Sequence, residues 1–205
     1  VAIPEDGLVI TGTSTENTIT VDPGEGNMVA FIISGLTLET AEEKNLIDIQ
    51  SGNVTLMLEG ENSLSNKTGG EKASVRVSSS ASLTINGTGN LNIYNGSEGG
   101  SNPAYGAAIG GNFQESPNSV TVELGSIRIV QYGTSAGIGG GAQANSGEII
   151  IRGGNIDVAV YEGDGNSAGT GIGGGAEGYE GTNEVGTGGS ANVSILGGTV
   201  SVLVR

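Results

Sequence analysis

Val120-Thr-Val-Glu-Leu-Gly-Ser-Ile-Arg-Ile, Ile149-Ile-Ile-Arg-Gly-Gly-Asn-Ile-Asp-Val and Val193-Ser-Ile-Leu-Gly-Gly-Thr-Val-Ser-Val share one layout. Each is a short alternating segment, a Gly at the sixth position (Gly125, Gly154, Gly198) and a second alternating segment. Alternation with a period of two is the pattern of a half-buried strand, so each block predicts two strands joined by a tight corner. Leu83-Thr-Ile-Asn-Gly-Thr-Gly-Asn-Leu-Asn-Ile is a fourth copy with one extra residue in the corner. Val54-Thr-Leu-Met-Leu-Glu-Gly and Phe31-Ile-Ile-Ser-Gly-Leu-Thr-Leu read as degenerate earlier copies. A second repeated element lies between the blocks: Ala107-Ala-Ile-Gly-Gly, Ala136-Gly-Ile-Gly-Gly-Gly and Thr170-Gly-Ile-Gly-Gly-Gly.

First-strand starts at Val54, Leu83, Val120, Ile149 and Val193 are separated by 29, 37, 29 and 44 residues. Short strands recurring at such intervals are what a solenoid produces when each turn contributes one rung. The longer intervals place insertions at residues 98–105 and 175–190. Only Leu38–Leu46 has any helical character, and a loop suits it equally. A sandwich or barrel also uses short strands, but it does not require a two-strand block to recur with a matched third segment. The expectation is an all-β chain, a right-handed parallel β-helix of about six turns. It would form a single domain over residues 1–205, with residues 1–30 as an N-terminal capping turn.

Stacking the copies gives four inward rows: Leu83/Val120/Ile149/Val193, Ile85/Val122/Ile151/Ile195, Leu91/Ile127/Ile156/Val200 and Ile93/Ile129/Val158/Val202. All are aliphatic, as a continuous core requires when rungs rest about 4.8 Å apart. In the same register Glu123 neighbours Arg152 and Arg128 neighbours Asp157, so outward charges meet with opposite sign. A wrong register would not produce both pairs together. The 40 Gly among 205 residues then become positional. They form corners that need positive φ and, at Ile-Gly-Gly, a thin third wall whose single large inward side chain is Ile109, Ile138 or Ile172.

Composition removes several chemistries. With no His and no Cys there is no Ser-His-Asp triad, no cysteine nucleophile, no imidazole or thiolate zinc site and no disulfide framework. Seven Lys and Arg against 22 Asp and Glu give a net charge of −15, which argues against binding nucleic acid or anionic membranes. No apolar run reaches the roughly 18 residues of a membrane span. Ile-Gly-Gly-Gly lacks the Lys-Ser/Thr ending and following helix of a phosphate loop. Five Asn-x-Ser/Thr sequons, at Asn53, Asn66, Asn86, Asn95 and Asn192, are attributable to chance in a chain rich in these residues.

Two candidate sites stand out. Tyr132 and Tyr161 are 29 residues apart at the same repeat position, with Tyr94, Tyr105 and Tyr179 on nearby segments. Stacked tyrosines, Tyr94 included, form either a platform for a sugar ring or an aromatic ladder that covers a corner and binds nothing. Glu162-Gly-Asp164-Gly-Asn166 places oxygen ligands on alternate residues, with Glu177, Glu180 and Glu184 in the next insertion. That arrangement is either a Ca²⁺ loop or an ordinary solvated acidic loop, and it lacks EF-hand spacing and the Gly-Gly-x-Gly-x-Asp repeat. No catalytic pair is distinguishable among 22 acids.

Ala-Gly-Ile-Gly-Gly-Gly followed by a strand-Gly-Gly-strand block resembles the repeats of large secreted or wall-attached proteins from gut Firmicutes. Gly52-Asn-Val-Thr-Leu-Met-Leu-Glu-Gly-Glu-Asn-Ser-Leu and Ala81-Ser-Leu-Thr-Ile-Asn-Gly-Thr-Gly-Asn-Leu resemble that arrangement in the same order. More loosely, the chain is similar to clostridial carbohydrate-binding β-helix domains related in fold to pectate lyases. The resemblance covers roughly residues 30–205. It implies an extracellular, cell-surface location on a Gram-positive bacterium and carries over no catalytic residue. The expected function is therefore non-catalytic, with a polysaccharide or a host or plant glycan as partner. A structural stalk or adhesin module is the alternative, and a Ca²⁺-dependent polysaccharide lyase a more remote one. Arg205 follows directly on a strand, so a continuation or cap beyond it is expected, and the isolated chain should be a monomer or make end-to-end contacts.

Overall fold

The computed structural model describes residues 7–98, 102–163, 168–176 and 188–205. Among these residues there are strands and no helices. The first coils hold β1 (Leu8–Ser14), β2 (Ile19–Val21), β3 (Met28–Thr40) and β4 (Ile47–Ile49). Then come β5 (Gly52–Glu59), β6 (Glu61–Asn66), β7 (Val75–Val77), β8 (Ala81–Gly87), β9 (Asn90–Asn95) and β10 (Ile109–Gly110). The repeats supply β11 (Ser119–Val122), β12 (Ser126–Tyr132), β13 (Ile138–Gly139), β14 (Glu148–Ile151), β15 (Asn155–Tyr161) and β16 (Ile172–Gly173). β17 (Asn192–Ile195) and β18 (Thr199–Val204) end the chain.

Every pairing between these strands is parallel, in one sheet of 12 strands and one of 6. The larger sheet is two walls hinged on β3, whose Met28–Ser34 pairs with β5 while Thr37–Thr40 pairs with β6. One wall continues through β8, β11, β14 and β17, the other through β9, β12, β15 and β18. The third wall runs β16-β13-β10-β7-β4-β2. This is the arrangement of a parallel β solenoid, with strands of successive repeats side by side rather than strands adjacent in sequence. Residues 38–46 carry the end of β3 and then turn, without a helix.

The registers place each repeat on its neighbour as the aliphatic pattern requires. Leu83, Val120, Ile149 and Val193 are consecutive partners, and so are Ile93, Ile129, Val158 and Val202. The first three members of each inward row are fully buried. Burying one such side chain contributes about 1.5–3 kcal/mol, so these rows and their backbone ladders dominate the stability. Of the last members, Val193 and Val200 are half-buried against the core, while Ile195 and Val202 are open at 55% and 47% exposure. The third wall reaches further back than the Ile-Gly-Gly elements foretell: Ile109 pairs with Val75, Val75 with Ile47 and Ile47 with Ile19.

One Gly with positive φ marks the corner between the first two walls in each coil: Gly12, Gly35, Gly60, Gly87, Gly125, Gly154 and Gly198. An L-residue in that region is strained, which is why the corner keeps Gly while the flanking residues drift. At the opposite end of the second wall the core turns polar. Thr40, Asn66, Asn95 and Gln131 are consecutive inward partners and all buried. Asn95 Nδ2 donates to Gln131 Oε1 (3.0 Å) and to the Gly106 carbonyl (3.0 Å), while Gln131 Nε2 donates to Gly106 O (3.2 Å) and to Ser135 Oγ. Side-chain amides thus satisfy backbone carbonyls where the chain leaves the ladder, which burial demands.

Candidate functional site

Two outer surfaces concentrate side chains with recognition chemistry. The first is the tyrosine strip at the end of β12 and β15. Tyr132 and Tyr161 are direct register partners, and their rings stack with centroids 5.1 Å apart and planes 21° from parallel. Tyr94 is not in the same row, since its partner is Val130. It nonetheless meets Tyr132 at 5.6 Å and 49°. Gly96 makes this diagonal contact possible, because a Cβ there would strike the Tyr132 backbone carbonyl and lie 3.1 Å from its Cβ. All three rings are half-buried. Burial first, and then the hydrogen bond and proximity of Tyr94, push the Tyr132 phenol up to about 12. The Tyr132 phenol is therefore neutral at any physiological pH.

The second surface lies on the third wall and had no motif to announce it. Asp48 of β4 and Arg76 of β7 are register partners. Arg76 Nη1 donates to Asp48 Oδ1 at 3.0 Å, while Nε and Nη2 donate in parallel to Glu115 Oε2 (2.8 Å) and Oε1 (2.7 Å). A guanidinium matches one carboxylate bidentately, so Glu115 is fixed as well as paired. The hydrogen bonds to Glu115, then those to Asp48, raise the Arg76 pKa further above its ordinary value, against the opposing effect of burial. The Asn112 N–H donates to Glu115 Oε2 (3.1 Å), and Asn112 Oδ1 accepts from the Ala73 N–H and from Asn45 Nδ2. The Phe113 N–H is held by the Glu71 carbonyl at 2.8 Å, and its ring packs against Tyr105 at 5.9 Å and 60°.

Around this clamp is an open depression of about 460 Å³ lined by Lys72, Arg76, Phe113, Glu115 and Glu71. At its rim Gln114 Nε2 donates to Gln143 Oε1 (2.8 Å). These two glutamines, 29 residues apart, are the only non-glycine residues with positive φ among the described residues. The rim is thus built by repetition, but the clamp at its centre is particular to one place along the solenoid.

Of the proposed calcium loop, Asp164 and Asn166 lie outside the described residues, as do Tyr179, Glu177, Glu180 and Glu184. Glu162 is exposed, and its N–H donates to the Arg205 carbonyl at 2.8 Å. Among the described residues no three acidic side chains are grouped to hold a metal ion. Among the described residues no helix is long and apolar enough to cross a membrane. Both outward charge pairs are in contact, Arg152 Nε to Glu123 at 3.3 Å and Arg128 Nε to Asp157 at 3.9 Å. The sequons at Asn66 and Asn95 point inward, with both side chains fully buried. Comparison with protein-family models, with curated proteins and with solved structures returns no match for this chain.

Proposed function

We propose that this chain is a non-catalytic extracellular module, a right-handed parallel β-helix of about six turns, that binds a polysaccharide at the surface of a Gram-positive bacterium. Parallel strands joined within one sheet almost always cross over right-handedly, which supports the hand. Six strands in the third wall support the turn count. The observation that carries the binding function is the strip Tyr94–Tyr132–Tyr161. Its ring spacings, 5.6 Å on the diagonal from Tyr94 to Tyr132 and 5.1 Å from Tyr132 to the next coil's Tyr161, are comparable to the advance of one sugar residue in an extended glycan. A chain laid along it would meet one hydroxyl-bearing ring edge per sugar. The surface location rests on the resemblance of the Ile-Gly-Gly repeats to those of wall-attached proteins from gut Firmicutes.

A stalk or adhesin spacer is the second reading, and a specific observation favours it: the Tyr132 and Tyr161 faces cover each other instead of facing solvent. The apolar residues left open on the last rung, Ile195 and Val202, suit end-to-end contact in either case. A glycan array with pectic, cellulosic and mucin polysaccharides separates the two. Binding that is lost in the Tyr132→Ala, Tyr161→Ala double variant supports the strip. Absence of binding to every glycan by the unaltered protein leaves the spacer.

A further inference from the structure

We infer that the depression around Phe113 on the third wall is a second glycan subsite, one that takes a neutral sugar residue. It rests on the glycan-binding reading above but uses none of the tyrosine strip's residues. Three features carry it. The first is size: about 460 Å³ lies within the roughly 300–1,000 Å³ of small-ligand sites, in a depression open to solvent.

The second is the state of its charges. Seven cations serve the whole chain. Lys44, Lys67, Arg76, Arg128 and Arg152 each sit on a carboxylate. Lys72 lines the depression, is half-buried, and has no ion pair among the described residues. An ammonium kept without a carboxylate in a molecule of net charge −15 is available as a donor. Glu115 offers the complementary acceptor, and the Arg76 fork together with the Asn112 N–H holds it in one orientation. A fixed acceptor, a free donor and a half-exposed phenyl ring lining one depression match the surface of a pyranose. Its hydroxyls project around the ring edge, and its axial C–H bonds form an apolar face that suits an aromatic ring.

The third is selectivity. Glu71 and Glu115 match Lys72 and Arg76 in the lining, Asp48 on the far side of Arg76 adds a third carboxylate, and the Arg76 donors are already spent on Asp48 and Glu115. A uronate or sulfated sugar would enter a negative field with one cation to meet it. The site therefore selects uncharged sugars.

The test is affinity electrophoresis and calorimetry of the full chain with three probes: mixed-linkage β-glucan, galactomannan and polygalacturonate. Phe113→Ala should weaken binding to a neutral polymer about tenfold, the loss expected when an aromatic contact is removed. Lys72→Met, which keeps the stem and removes the donor, should weaken it by a smaller factor. Both side chains are half-exposed, so the circular dichroism melting curve should not move, and an unmoved melt makes a loss of binding attributable to the site. Binding to the neutral polymer by Phe113→Ala equal to that of the unaltered chain overturns the proposal, as does a preference for polygalacturonate. If the double tyrosine variant binds normally while Phe113→Ala does not, the strip fails and this subsite stands. The reverse result removes the subsite and leaves the strip. No binding by the unaltered chain removes both.

Discussion

Gly139→Ala and Gly125→Ala make the same chemical change at two positive-φ positions, and the structure demands very different consequences. At Gly125 (φ 103°) the one tight neighbour of an added Cβ would be the tip of Leu58, Cδ1 at 3.1 Å, which reaches across from two coils away and need give by only a few tenths of an ångström. The cost there is conformational: roughly 1–2 kcal/mol for an L-residue in that region. The unfolded chain's reduced freedom offsets about 0.4–1 kcal/mol of it. A net loss of about 1 kcal/mol follows. At Gly139 (φ 135°) the Cβ would lie far inside the van der Waals shell of the Gly173 carbonyl oxygen. That oxygen accepts the Gly140 N–H at 3.0 Å, so the coils must part and the ladder bond break. A buried polar group left unpaired adds about 1–3 kcal/mol to the strain, for a total near 3 kcal/mol or more. Urea unfolding followed by far-UV circular dichroism measures the difference, since the chain has no Trp to report by fluorescence. With a slope of about 1–3 kcal/mol/M, the Gly139 variant should lose roughly 1–3 M of midpoint and the Gly125 variant a third of that. Equal shifts would refute close coil approach as the reason for Ile-Gly-Gly, leaving backbone conformation as its only cause.

Three further outcomes follow from the same geometry. Ile138→Ala removes the one large inward side chain its coil contributes to the third wall, between Ile109 and Ile172, and should cost about 2–5 kcal/mol in the same urea assay. Spectrophotometric titration should find one phenol that ionises only near pH 12. Because the folded Tyr132 holds its proton more tightly than the unfolded chain, its contribution to stability is complete below pH 10.0 and is lost between there and about 12. Removing the hydroxyl in Tyr132→Phe should abolish that part of the alkaline loss. Expressed in a glycosylating host, the chain should carry no sugar at Asn66 or Asn95, which are buried, while the exposed Asn53 and Asn192 are open to modification. Mass spectrometry of the peptides decides this, and occupancy at Asn95 would contradict the buried amide row.

The walls were legible in the amino-acid order because a solenoid repeats its own contacts. Val120, Ile149 and Val193 each need an aliphatic partner above and below, and Gly125, Gly154 and Gly198 each need the same backbone, so the pattern survives divergence. Where that demand relaxes, the signal fades. Ile19, Ile47 and Val75 belong to the third wall, but their coils lack the Ile-Gly-Gly element that marks the later ones. Asn66, Asn95 and Gln131 read as strand ends and sequons because a buried amide row leaves no apolar trace. Tyr132 over Tyr161 was visible as a spacing, whereas the contact with Tyr94 depends on what Gly96 lacks. The Phe113 depression was invisible for a different reason. Its clamp joins Asp48, Arg76 and Glu115 across gaps of 28 and 39 residues, one of them set by an insertion, so no constant period links them.

That clamp also shows how an acidic chain can tolerate parallel stacking. In a solenoid, equivalent residues are near neighbours, and a charge repeated in every turn would face its own kind down the whole wall. Here the sign changes between coils instead: Glu123 to Arg152, Arg128 to Asp157, Asp48 to Arg76. Exposed pairs of this type contribute only about 0–1 kcal/mol each, so their main effect is to fix which coil lies beside which. The better-buried Arg76 clamp does more, since its side chain is 24% exposed and its two carboxylate partners are 18% and 21% exposed. Removing the guanidinium would leave Asp48 and Glu115 facing each other with no counter-charge, on a wall whose later coils are little more than backbone. Four of the seven cations thus pair one coil with another. Against that economy Lys72 stands out on the third wall: it has no ion pair among the described residues, and it lines the depression beside the clamp.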